Sequence, residues 1–247
     1  MMRKIAGYAF AIVFILAGWQ LTAMAVASPA LPGPVEAIPM VGLYFSDLWP
    51  AFLVSLYRVV AAMAIGTLLA IPLGLVCGRS PRVDAVFAPV LYFLYPLPKV
   101  VLLPVLIVLM GLADAPKITL IAITVFFQVL VTVRDAAHSV PEESVLSVRS
   151  LGAGRWDIYR HVIVPATLPE LFTALRISSG TAVAILFFAE SLAGSTGLGY
   201  FIVDAWALLA YPKMFAGIIA MALLGVVLYE AFEMAERRLT RWRKAGR

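Results

Sequence analysis

The sequence has little of what covalent catalysis, metal binding or cross-linking requires. One cysteine, Cys77, stands in 247 residues, which excludes an internal disulfide and a cysteine-based metal cluster. The two histidines, His138 and His161, are far apart and have no metal-ligand company, so no metal site is expected. No Gly-x4-Gly-Lys-Ser/Thr phosphate loop occurs, which argues against the chain binding and hydrolysing ATP itself. Charge is scarce as well. Charged residues make up 13% of the chain, against roughly 25% in soluble domains.

Apolar side chains fill the gap, at 63% of residues and a mean hydropathy of +0.98. One soluble core cannot hide that much apolar surface, so a lipid bilayer is the expected solvent. A helix needs about 20 apolar residues to cross the hydrocarbon. Six crossings are expected, over residues 5–27, 50–78, 85–112, 117–133, 168–192 and 214–236. The expected fold is an all-α polytopic membrane protein in which residues 1–247 form a single transmembrane domain. Pro72, Pro96, Pro98 and Pro104 fall inside the second and third spans, which should be kinked or broken. Such breaks are tolerated where the freed backbone is buried in protein or lines a wet cavity.

Basic residues orient the spans. Arg3 and Lys4 precede the first; Arg79 and Arg82 lie between the second and third; Arg134, Arg149, Arg155, Arg160 and Arg176 flank the long loop after the fourth. Arg237, Arg238, Arg241, Arg243, Lys244 and Arg247 close the chain. Lys117 and Lys213 alone remain for the opposite side, with Arg58 and Lys99 inside spans. Both termini and the long loop are therefore expected in the cytoplasm. The same asymmetry accounts for the net charge of +5 without nucleic acid. The basic start, apolar run and Ala-rich stretch at 23–27 could mimic a signal peptide, but the run is long and a retained span is expected. Residues 29–47 carry Pro29, Pro32, Pro34 and Pro39 and no Lys or Arg, which suits an external loop.

The long polar stretch, residues 139–169, has its own pattern. A helix is expected over 142–151, a break at Gly152-Ala153-Gly154, and a second amphipathic turn over 156–163 before Pro165. Gly152 suits the position just past a helix end, where a positive φ is easily reached only without a Cβ. Gly152 followed by Val162-x-Val164-Pro165 resembles the Glu-Ala-Ala loop of binding-protein-dependent ABC importer permeases. The triplet itself would fall on Leu146, Ser147 and Val148, which do not match. Arg149-Ser150-Leu151-Gly152-Ala153 and Arg155-Trp156 look like the form found in nitrate/sulfonate/taurine-type permeases.

Further motifs follow in the family's order. Ser55-Leu56-Tyr57-Arg58-Val59 leads to Gly66, Ala70 and Gly74, a small face every four residues on which another helix can pack closely. Pro96, Pro98 and Pro104 precede Gly111 and Lys117-Ile118. Glu190-Ser191 and Gly197-Leu198-Gly199-Tyr200 are similar to the family's signature after the fifth span, with Ile202 and Ala205 continuing it. The likeness runs from about residue 48 to 205.

It implies a type I ABC importer permease-like fold with six transmembrane helices, multi-pass in a bacterial cytoplasmic (inner) membrane. Such a chain is a transport subunit and not an enzyme, with ATP and Mg on separate ATPase subunits. An external or periplasmic solute-binding protein would deliver the solute, and a second copy of the chain would complete the pore. Residues 139–165 would be the cytoplasmic coupling loop, docking through Arg149, Ser150, Leu151, Gly152, Ala153, Arg155, Trp156, Asp157, Arg160 and Pro165. Lys99, Ser178, Ser179, Glu190, Gly197, Gly199 and Tyr200 are candidates for the path or its outer gate.

Three roles fit Lys99: a positive point along an anion path, an ion pair fixing helix packing, or a position at the end of a kinked helix. Glu190 fits either an outer cap on the path or a pair with Arg58 or Lys99. Nitrate, sulfonates, taurine and heterocyclic vitamin precursors are solutes of related permeases, and Lys99 tilts the choice toward an anion. The competing class is a stand-alone secondary transporter or channel, which would need its own coupling-ion site. A single intramembrane acid, Glu190, is thin support for one.

Overall fold

The computed structural model of the chain describes residues 2–240. The basic residues Arg241, Arg243, Lys244 and Arg247 lie outside the described residues, as do the side chains of Arg3 and Lys4. Among the described residues all regular structure is helical. In chain order the helices are α1 (Met2–Val26), α2 (Pro34–Leu43), α3 (Phe45–Arg79), α4 (Pro81–Leu94), a 3-10 turn (Lys99–Leu102) and α5 (Leu103–Met110). They continue with α6 (Asp114–His138), α7 (Glu142–Ser150), α8 (Arg155–Ile158), a π turn (Tyr159–Ile163), α9 (Val164–Ala193), α10 (Leu198–Ala207) and α11 (Tyr211–Leu239).

The third expected crossing is not one rod. Pro96 and Pro98 have no N–H to give the carbonyls one turn back, so α4 stops at Leu94. Local bonds replace the ladder, Leu97 N to Leu94 O at 3.3 Å and Val101 N to Pro98 O at 3.1 Å. The chain turns by 85° between α4 and the arm that runs from Lys99 to Met110. α3, by contrast, stays helical through Pro72. Among the described residues four helices are long and apolar enough to cross a membrane: α3, α6, α9 with its N-terminal extension from Arg155, and α11. Residues 29–47 are not a plain loop. Gly33 caps and Pro34 opens α2, using the first-turn position where proline's missing N–H costs nothing.

The chain divides into two compact units, Met1–Ser55 with Glu190–Leu223, and Leu56–Ala189 with Leu224–Arg247. In the first, Trp19 Nε1 donates to the Pro32 carbonyl at 3.0 Å and its ring stacks on Phe215 with centroids 5.5 Å apart. Lys213 lies over the rings of Tyr44 (5.5 Å) and Phe201 (5.0 Å).

In the second unit α6 is the centre, with 56% of its apolar window buried against 33–44% for the other three long helices. The small face of α3 packs on it so closely that side chains would collide. A Cβ at Gly66 would stand 2.6 Å from the Ala122 carbonyl oxygen, one at Gly74 3.0 Å from that of Leu130, and one at Gly78 2.4 Å from that of Arg134. Both residue numbers rise together along the contact, so α3 and α6 run in the same direction. An ion pair and a hydrogen bond agree with this register. Arg58 meets Asp114, at the start of α6, at 2.6 Å, and Arg79 donates to the Val140 carbonyl, just past its end, at 3.2 Å.

Parallel neighbours need a return between them. From Arg58 to Arg79 is about 32 Å along a helix, close to the thickness of the hydrocarbon. The broken α4–α5 pair must cover that distance, and so serves as a fifth, bent crossing. Its α4 is tied to α6 by Asp84 and Arg134 at 2.5 and 2.7 Å. Its α5 packs through Leu103, Leu106 and Ile107 on Leu120 of α6 and on Ile185 and Ala189 of α9.

Candidate functional site

The polar loop is built as a hydrogen-bonded turn between two helices. Glu142 and Glu143 occupy the first turn of α7 and Arg149 the last, each sign at the end that the helix dipole favours. Gly152 then adopts φ +87, its N–H donating to the Arg149 carbonyl (2.9 Å), while the Ala153 N–H reaches the Val148 carbonyl (3.4 Å). That pair of bonds is a Schellman closure, and it needs a residue at ease with positive φ. Space is not the constraint, since nothing lies within 4 Å of a Cβ placed there. The Gly154 N–H donates to Asp157 Oδ2 at 3.0 Å and so starts α8.

The second helix does not stop at Pro165, as the sequence suggested. α8 passes through the π turn into α9, giving continuous helix from Arg155 to Ala193. The wider turn sits just before Pro165, whose missing N–H would have interrupted a regular ladder. Arg149, Ser150, Gly152, Arg155, Asp157 and Arg160 are exposed, Ala153 and Pro165 half-buried. Leu151 is 86% exposed and Trp156 75%, so two large apolar side chains face outward from a polar loop. Ile158, two residues after Trp156, is by contrast 7% exposed.

The second cluster surrounds Glu190, which is fully buried. Ser55 Oγ lies 2.9 Å from each carboxylate oxygen and donates to the group; the Gly199 N–H donates to Oε2 at 2.9 Å. Ser55 Oγ in turn accepts the Leu198 N–H at 2.8 Å. Leu198 and Gly199 are the first residues of α10, so a serine and a glutamate from distant helices cap it where Gly197 offers no side chain. Gly197 has φ +102, and a Cβ there would sit 2.3 Å from Glu190 Oε1. Ser55 escaped sequence reasoning because a serine in an apolar run reads as ordinary helix packing.

Lys99 opens the 3-10 turn at the break instead of sitting inside a helix. Its Nζ donates to the Tyr95 carbonyl and lies 5.2 Å from the Tyr95 ring centroid and 5.1 Å from that of Phe127. Ser178 and Ser179 are buried; Ser179 Oγ donates to the Arg176 carbonyl at 2.7 Å, whereas Ser178 Oγ has no partner among the described residues. On the same helix Thr181 accepts from Gln128 Nε2 at 3.3 Å. Tyr200 is partly exposed, over a 240 Å³ pocket that includes Asp47, Asp204 and Gly197. Among the described residues no group of three His, Cys, Asp or Glu side chains is placed to hold a metal ion.

Apolar crossings, one of them broken, an outward-facing helix–glycine–helix loop and a buried carboxylate at a glycine turn define the membrane-spanning part of a transporter. The chain belongs to the family described as binding-protein-dependent transport system inner membrane component, whose model matches residues 70–241. It is 30% identical over 238 residues to the taurine transport system permease protein TauC of Escherichia coli strain K12, covering 93% of this chain and 86% of that one. It is also 30% identical over 235 residues to the putative aliphatic sulfonates transport permease protein SsuC of Bacillus subtilis strain 168, covering 94% and 85%. Its fold resembles that of a chain in inward-facing conformations of the MetNI methionine ABC transporter, with a TM-score of 0.64 over 82% of this chain and 98% of that one at 20% identity. The chain is thus an inner-membrane permease subunit of an ABC importer, a transport component and not an enzyme. That membership sets aside the stand-alone transporter.

Proposed function

We propose that this permease carries a small sulfonate-type anion across the membrane and takes its driving force through the loop at Gly152. The observation that carries the coupling half is the loop's build: Leu151 and Trp156 exposed on either side of a glycine held at positive φ. A rigid projection transmits a push, whereas a floppy loop absorbs it. Arg149, Arg155 and Arg160 give the projection charges for an acidic rim, and Ser150, Ala153, Asp157 and Pro165 frame it. Its partner is an ATPase subunit that holds ATP and Mg, on the cytoplasmic side together with both termini.

The outer end is formed by Gly197, Gly199 and Tyr200, where a solute-binding protein delivers the anion, and Glu190 fixes that turn. Lys99, Ser178 and Ser179 border the path. The chain forms one transmembrane domain of six crossings, α1 adding to the five above, and pairs with a second copy. Broad exposed apolar surfaces, such as Phe93 on α4 and Val108 and Leu109 on α5, suit lipid or that copy. Support for the solute class comes from the taurine and sulfonate permeases to which the chain is similar. The test is the ATPase rate of the purified complex with its binding protein. Taurine or an alkanesulfonate is expected to raise it, and a solute of another class doing so in their place would overturn the assignment.

A further inference from the structure

A cleft of about 590 Å³ opens beside the loop, and four arginines line it. Arg79, in the last turn of α3, and Arg82, in the first turn of α4, form one wall; Arg149 of α7 and Arg155 of α8 form the other. Of the acids on the neighbouring elements, Glu142 and Glu143 stand in the first turn of α7, at the opposite end from Arg149. Asp84 is held by Arg134, and Asp157 accepts the Gly154 N–H. Arg79 spends one N–H on the Val140 carbonyl, but among the described residues no carboxylate pairs with Arg82, Arg149 or Arg155. Gathering guanidinium groups without counter-charge is unfavourable, and an anion with several oxygens relieves it, since each planar fork can hold two of them.

The remaining walls say which anion. Val145, Ile158 and Ile163 give the cleft an apolar floor, and Ser80 and Tyr159 also border it. One wall is the turn between α3 and α4, two apolar helices, which is where lipid headgroups stand. We propose that this cleft binds the phosphate group of an anionic phospholipid, its glycerol and upper acyl carbons resting on the apolar floor. Juxtamembrane arginines each contribute to such binding, and their effects accumulate. The site would add a lipid-mediated link between the turn at α3–α4 and the loop to the one that Arg79 already makes at the Val140 carbonyl. It goes beyond the ATPase-docking reading, and its test avoids the docking residues by resting on Arg79 and Arg82.

The purified full-length complex would be examined by native mass spectrometry after exchange into dioleoylphosphatidylglycerol or dioleoylphosphatidylcholine. The parent is expected to retain phosphatidylglycerol in preference to phosphatidylcholine. Arg82→Gln should cut that retention about fivefold, and Arg79→Gln with Arg82→Gln further, with phosphatidylcholine unchanged. Arg82→Lys keeps the charge and should fall between parent and Arg82→Gln, which guards against a folding artefact. Displacement of the lipid by millimolar sodium phosphate would identify phosphate as the recognised group with soluble phosphate as a second source. Resistance to it would make the intact lipid the ligand. Equal phosphatidylglycerol retention by parent and both glutamine variants, or no preference over phosphatidylcholine, would overturn the proposal.

Discussion

A carboxylate removed from water must be met by donors, and Glu190 meets the Ser55 hydroxyl and the Gly199 N–H. The turn it holds leaves no room at Gly197, where a Cβ would both require φ +102 and press on Glu190 Oε1. Gly197→Ala should therefore cost about 1–3 kcal/mol in a strained backbone and lower transport by loosening the start of α10. Thermal melting of the purified chain and uptake in vesicles check this; unchanged values in both would show the turn to be tolerant. Lys99 makes a different case. It sits between the Tyr95 and Phe127 rings with its Nζ on the Tyr95 carbonyl, and no ion pair fixes it among the described residues. Lys99→Met should leave assembly intact and reduce uptake of an anionic solute more than of a neutral one. Equal uptake by parent and variant would remove Lys99 from the path.

The seam of α3 on α6 is a close contact between two long helices, and it fixes their common direction. Gly78→Ala would place a methyl 2.4 Å from the Arg134 carbonyl oxygen and 2.7 Å from the Ala137 Cβ. Backbone cannot give way as a flexible side-chain tip can, so the helices must part, at a cost of about 1–3 kcal/mol. Denaturation of the variant in detergent measures it, and parent-like stability would contradict the seam. Part of this was legible in the sequence. Gly66, Ala70 and Gly74 recur every four residues and mark a small face, and Pro96 with Pro98 mark the break. The partner of that face was not legible, because which helix accepts it depends on three-dimensional packing between segments some 55 residues apart. Prolines misled at Pro165, which the helix passes through, and again near the N-terminus. Those before residue 40 read as a loop, yet Pro34 stands where a helix begins. Ile158 is buried because α8 leads through a π turn into α9, so one of its faces is already covered.

At the scale of the whole molecule, the sequence located the loop and the structure supplied its conformation. Gly152 was readable as a helix end because a glycine just past an amphipathic segment readily takes the positive φ that closes a helix. The missing Glu-Ala-Ala triplet does not alter that local geometry, since the closure uses backbone groups of Val148 and Arg149. The central claim is that this fixed turn carries force from ATPase to permease. Gly152→Val tests it most directly, because open space around the position leaves φ as the one constraint changed. The measurement is uptake per ATP hydrolysed in proteoliposomes holding the complete transporter, with Ser139→Ala as the control. A loss of about 1.4 kcal/mol in coupling would lower the ratio about tenfold. The account predicts a fall of that order with the crossings intact, the chain still inserting and the ATPase either bound weakly or turning over without uptake. A Gly152→Val transporter that assembles, hydrolyses and imports like the parent would contradict it.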